Sequence, residues 1–218
     1  MKLLLTSGGV TNASIHEALA DLLGKPTSEA TALCVPTAQW GHPHCGPVSA
    51  RGFVAGMPPW GGLTSLPWTS LGLLELTALP TIPRERWLTW VEAADVVLVD
   101  GGDAAYLAYW MRESGLAELL PSLTDKVWVG VSAGSMALTP RIGSDFVEWP
   151  GAADDRGLGV VDFSIFPHLD VFPTNTMADA ERWHEEVGGA AYVLDDQSAI
   201  RVVDDVPEVI SEGRWRRL

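Results

Sequence analysis

The stretch "VWVGVSAGSMAL", residues 127–138, sets a serine in a G-x-S-x-G frame, Gly130, Ser132 and Gly134, directly after a run of valines and a tryptophan. Such a short apolar run reads as a strand buried on both faces. Small residues on either side of the serine are what a tight strand-to-helix turn demands, because a helix starts immediately beneath it. On that turn the hydroxyl is lifted clear of the sheet, and the N–H of Ala133 is aimed where an oxyanion would form. The same frame also suits a buried serine that only caps a strand end, so the remainder of the chain has to distinguish the two.

Outward from this point the pattern repeats. "KLLL" runs into "TSGG" and then into "SIHEALADLLG", whose apolar residues Ile15, Leu19, Leu22 and Leu23 have helical spacing. "ATALCVPTA", "LGLLELTAL" and "ADVVLVDGGD" are further short apolar runs, and "AAYLAYWMRESGLAELLPSL" reads as the helix before the serine's strand. Strands alternating with helices predict an α/β fold, a mostly parallel twisted sheet with helices on both faces. Downstream, "GLGVVDFSIFPHLD" reads as a strand ending in a polar corner, "TMADAERWHEEVGG" as a helix closed by glycines, and the tail as a C-terminal hairpin set. The 218 residues fit one α/β domain spanning 1–218.

Composition excludes several classes of function. A formal net charge of −14, with only 14 Lys plus Arg, leaves no basic stripe for a phosphate backbone, so nucleic acid is not an expected partner. The same charge opposes an acidic membrane surface. "MKLLLTSGG" is too short for a signal-peptide core, which predicts a cytoplasmic protein. No residue between Arg51 and Glu75 is charged, but prolines and glycines there forbid a spanning helix and the stretch reads as a loop. The tryptophans Trp40, Trp60 and Trp68 suggest either an apolar lid or a surface loop packed on itself. "HPHC" gathers His42, His44 and Cys45 without a second ligand pair, and neither a metal nor a cofactor is expected. A homodimer is compatible with the sequence.

In open parallel sheets, ligands gather beyond the carboxyl ends of the strands. Four polar segments fall there: "TSGG" at Ser7–Gly9, "DGGD" at Asp100–Asp103, "SAGS" at Ser132–Ser135 and "PHLD" at Pro167–Asp170. A serine hydroxyl is inert without a base oriented by a third group. Of the five histidines, His168 alone is expected at a strand end in the same half of the sheet. Asp196 in "LDDQSAI" and Asp145 in "RIGSDF" could each orient it, and spacing does not choose between them. The pair Gly101-Gly102 can bring a second bare amide to the oxyanion.

Together "LTSGGVTN", "DGGDAAYL", "GVSAGSMAL", "FPHLD" and "LDDQSAI" resemble the aspartyl dipeptidase, or peptidase E, group of serine peptidases, built on the class I glutamine amidotransferase-like fold. The resemblance implies a Ser-His-acid triad matching Ser132 and His168. It puts the triad acid, commonly glutamate, at Asp196, and a second acid near Asp145. The family's G-G-N-T corresponds to "GGDA", so Gly102 carries over as an oxyanion donor and Asp103 replaces an asparagine at a substrate-binding position. The arginine with which aspartate-cleaving members pair the substrate carboxylate has its nearest counterpart in Arg182, with Asp179 close to its place. The expected function is therefore hydrolysis of short peptides through an acyl-enzyme. Two alternatives stand beside it: an α/β-hydrolase-type esterase, since the order Ser132, Asp145, His168 suits that fold, and a binding or regulatory protein that kept the turn but not the reaction.

Overall fold

The computed structural model describes residues 1–218. Ten strands run through the chain: β1 (Lys2–Thr6), β2 (Thr31–Val35), β3 (Ser70–Leu73), β4 (Val96–Val99), β5 (Val127–Val131), β6 (Phe163–Phe166), β7 (Ala190–Leu194), β8 (Ser198–Val203), β9 (Val206–Ser211) and β10 (Trp215–Arg217). Six helices accompany them: α1 (Ala13–Leu23), α2 (Pro47–Val54), α3 (Arg84–Ala93), α4 (Ala104–Glu113), α5 (Ala133–Met136) and α6 (Met177–Val187).

The main sheet has seven strands in the order β3-β2-β4-β5-β1-β8-β9. Its first five are mutually parallel, and the β8–β9 hairpin adds to β1 antiparallel. Alternate residues face opposite layers, as the strand period requires. Leu3, Leu5, Val97, Val99 and Trp128 pack with Leu107 and Met111 of α4 and Met136 of α5. Leu4, Val96, Leu98, Val127 and Val129 pack with Ile15, Leu19 and Leu22 of α1 and Phe53 of α2. Both faces are covered, which is why the strands read as continuous apolar runs.

Two expectations change. The strand leading to His168 is not in the main sheet: β6 pairs parallel with β7, and β7 antiparallel with β10, in a separate three-stranded sheet. β1 is paired on both sides, by β5 and β8, and β6 and β7 instead lay Phe163, Ile165, Tyr192 and Leu194 against the core of the main sheet. Phe166, Leu169, Ala180, Trp183 and Val193 give this second sheet and α6 a small core of their own. The uncharged segment is also more ordered than a loop at its start, since α2 begins at Pro47, a residue suited to a first helical turn, and runs to Val54, while the strand expected in "LGLLELTAL" forms as β3 at the sheet edge. No helix is long and apolar enough to cross a membrane.

The turn after β5 is where backbone meets backbone. A Cβ on Gly134 would stand 2.4 Å from the carbonyl oxygen of Val99 at the end of β4, with no flexible atom to give way. Gly134→Ala should therefore lower stability by about 2–3 kcal/mol in urea denaturation, as overpacking against rigid neighbours does. A loss of less than ~0.5 kcal/mol would show that the turn is looser than this packing implies.

Candidate active site

Ser132 sits between β5 and α5 with φ 49° and ψ −109°, a conformation that costs a non-glycine residue of order 1–3 kcal/mol. The end of β1 holds it there. Ser132 N–H donates to the carbonyl of Thr6 at 3.0 Å, and the Thr6 hydroxyl donates to the carbonyl of Gly130 at 2.6 Å. The Ser135 hydroxyl lies 2.8 Å from the Thr6 carbonyl and 2.9 Å from that of Gly130. The bonds of the Thr6 and Ser135 hydroxyls are buried, so each pairs a polar atom that would be costly to leave unpaired.

His168 follows β6, and it too has a positive φ, 59°. Its Nδ1 lies 2.7 Å from Oδ1 of Asp196, which follows β7, the neighbour of β6. A carboxylate only accepts, so Nδ1 carries the proton and Nε2 is left as a base. Burial alone would raise the Asp196 carboxyl, but the hydrogen bond and charge of His168 and the hydrogen bond from Ser7 outweigh it and hold the group below its ordinary value. No hydrogen bond joins Ser132 Oγ to His168.

A residue given no role by sequence reasoning completes this arrangement. The Ser7 hydroxyl, fully buried, donates to Asp196 Oδ1 at 2.8 Å and accepts the His168 N–H at 2.7 Å. Next to it, a Cβ on Gly8 would stand 2.6 Å from that of Asp196, so only glycine lets the aspartate come this close. Thr11 Oγ1 donates to the Asp196 carbonyl at 2.7 Å, and Asn12 Nδ2 to that of Gln197 at 2.9 Å. The signal was present in "TSGG", a polar strand end, but not its partner.

The other expected residues fall as follows. Ala133 heads α5, where its N–H has no intrahelical acceptor. Gly101 lies against Ser132, and Gly102 N–H donates to no group of the chain. Asp145 is exposed on a turn at Ser144–Phe146 and pairs with nothing, so it is not the partner of His168. Asp103 is not open to a ligand either: it is fully buried, its Oδ1 caps α4 through Tyr106 N–H, and its Oδ2 takes the N–H groups of Glu148 and Trp149. Arg182 is exposed on α6 with its guanidinium engaged by Asp179. The tryptophan-rich segment does lie beside the site, since Leu63 reaches Gly9, but Trp60 packs on Gly52 and Trp68 Nε1 donates to Leu63 O, fastening the segment to itself.

The family model for peptidase family S51 matches residues 67–210, a span that contains Ser132, His168 and Asp196. The chain belongs to peptidase family S51. It is thereby a serine peptidase by family. A solved structure described as a peptidase E protein from Listeria monocytogenes EGD-e is 18% identical, covering 97% of this chain and 98% of its own, with a TM-score of 0.72. A peptidase from an acI-B1 Actinobacterium is 15% identical, covering 100% of this chain and 93% of its own, with a TM-score of 0.65. At these identities the likeness is one of fold. No curated protein sequence matches the chain.

One more acid lies at the S51 site. Asp100, at the end of β4, is buried; Gly101 N–H donates to its Oδ1 at 2.8 Å and Gln39 Nε2 to its Oδ2 at 2.7 Å. Burial outweighs both bonds and pushes the carboxyl up to about 7. The unfolded chain ionises this group near pH ~4, whereas the folded chain keeps its proton to about pH 7. Folding stability therefore falls as pH rises through that window and levels off above it. Asp100→Asn removes the titration, so in urea denaturation from pH ~4 to ~8 the variant should gain steadily on the parent up to about pH 7. A gap that stays constant across the window would contradict the assignment.

Proposed function

We propose that this S51 chain hydrolyses short peptides, dipeptides among them, through a triad of Ser132, His168 and Asp196 and an acyl-enzyme. The observation that carries the reading is the 2.7 Å pair between His168 Nδ1 and Asp196 Oδ1, in a chain whose strained Ser132 is held at the end of β5 by its neighbour β1. Ser132 Oγ attacks the scissile carbonyl while His168 Nε2 takes its proton. Asp196 fixes the tautomer and stabilises the imidazolium that forms. The N–H groups of Ala133 and Gly102 receive the oxyanion. His168 then protonates the leaving amine, and a water activated by the same Nε2 hydrolyses the ester. The contact between Ser132 Oγ and Nε2 closes when substrate is bound, as such hydrogen bonds commonly do.

Three observations support this assignment of roles over its rivals. Asp145, the acid an esterase order would use, stands exposed and unpaired. Past the turn, β6 and β7 pair in the second sheet and only the antiparallel β8–β9 hairpin rejoins the main one, whereas an α/β-hydrolase needs further parallel strands there. Arg182 is already engaged by Asp179, so an aspartyl preference finds no support at that position.

A hydrolysis screen against a dipeptide library supplies the substrate for the test. Ser132→Ala should lower kcat by about 10⁴ or more with folding intact, and Asp196→Asn by about 10²–10⁴. Asp145→Asn should cost about tenfold or less. A crippled Asp145→Asn beside a nearly unaffected Asp196→Asn would move the triad acid to Asp145, and a near-normal Ser132→Ala would remove the nucleophile.

A further inference from the structure

His168 and Asp196 reach the site from the second sheet, while Ser132 stands on the main one. Something must fix the first pair against the second element. Ser7 lies directly after β1, whose last residue, Thr6, already holds Ser132. Its hydroxyl has one proton and accepting lone pairs, and both functions are used on the pair. The lone pair takes the main-chain N–H of His168 at 2.7 Å, and the proton goes to Asp196 Oδ1 at 2.8 Å. That same Oδ1 receives His168 Nδ1 at 2.7 Å. The bonds close a ring: His168 N–H to Ser7 Oγ, Ser7 Oγ–H to Asp196 Oδ1, and Asp196 Oδ1 back to the imidazole of His168.

A residue serving only to cap the loop would need the first of these bonds alone. The second spends the hydroxyl proton on the one carboxylate oxygen that orients the imidazole. With both lone pairs of Oδ1 occupied, the carboxylate cannot rotate away from Nδ1 without also breaking its bond to Ser7. Ser7 itself is fully buried, while Asp196 and His168 are partly open to solvent, so the hydroxyl is the shielded member of the ring.

Resting on the triad reading above, we propose that Ser7 is a positioning residue, which locks Asp196 Oδ1 onto His168 and ties that pair to the strand that holds Ser132. Its action passes through Asp196 and not through substrate binding. In the full chain, Ser7→Ala should lower kcat about 10–100-fold with KM within about twofold, less than losing the Asp196 charge because the carboxylate remains. In an Asp196→Asn background the same change should cost almost nothing further, since the two act as a unit.

The spectroscopic readout is the downfield proton resonance of the His168 Nδ1–H bond to Asp196, which should shift in Ser7→Ala. It does not depend on turnover, so it decides the role of Ser7 even if the chain hydrolyses no peptide, a result that would count against the triad reading alone. If the alanine variant does not fold, Ser7→Cys, with a weaker donor of similar shape, carries the same measurements. An unshifted resonance, a rise in KM matching the fall in kcat, or losses additive with Asp196→Asn would each overturn the proposal.

Discussion

The hydrogen bonds at the end of β1 are the constraint on which the site depends. Thr6 offers its carbonyl to Ser132 N–H and its hydroxyl to Gly130 O, and so holds the strained turn after β5. One residue later Ser7 takes hold of His168 and Asp196. The second sheet packs Phe163, Ile165, Tyr192 and Leu194 into the main core, and these two residues add a polar tie between the sheets at the site. Neither sheet could by itself set the distance between the serine and the imidazole, because each would carry only its own part.

Strain and burial in this region have a common logic. Ser132 and His168 both adopt positive φ, and Asp100 and Asp103 are buried carboxyls. Each is unfavourable alone, and each is offset by hydrogen bonds: Ser132 to Thr6 O, His168 N–H to Ser7, Asp100 from Gly101 and Gln39, and Asp103 from three backbone N–H groups. Asp103 shows the arrangement well, since three N–H groups converge on one carboxylate and the loop at Glu148 and Trp149 is thereby fixed to the start of α4. The amides of Gly102 and Ala133, close by, donate to no group of the chain. Bare donors that are already oriented need no rearrangement when charge develops near them.

Much of this was legible in the residues. The apolar runs announced the parallel strands, and Gly130, Ser132 and Gly134 announced the turn, because both signals are local. The second sheet was not legible, since whether β6 adds to the main sheet or packs across it is decided by long-range packing of residues such as Phe163 and Ile165. The pairing of His168 with Asp196 was the favoured expectation, from a turn following the strand adjacent to that of His168, and β6 does lie beside β7. Asp103 is a different case: an aspartate directly before an apolar helical run is a helix-cap signal, and it could have been read as one. Ser7 offered only a polar residue at a strand end. Its role follows from a contact 189 positions away in sequence, to Asp196.

The most direct test of the central claim, that Ser132 is a nucleophile activated by His168, is reaction of the full chain with a fluorophosphonate followed by peptide mass spectrometry. Only an activated serine attacks phosphorus at a useful rate. The account predicts one adduct, on the peptide that contains Ser132, and its loss in His168→Ala. No adduct in the parent chain, or an adduct at Ser132 that persists undiminished without His168, would contradict it.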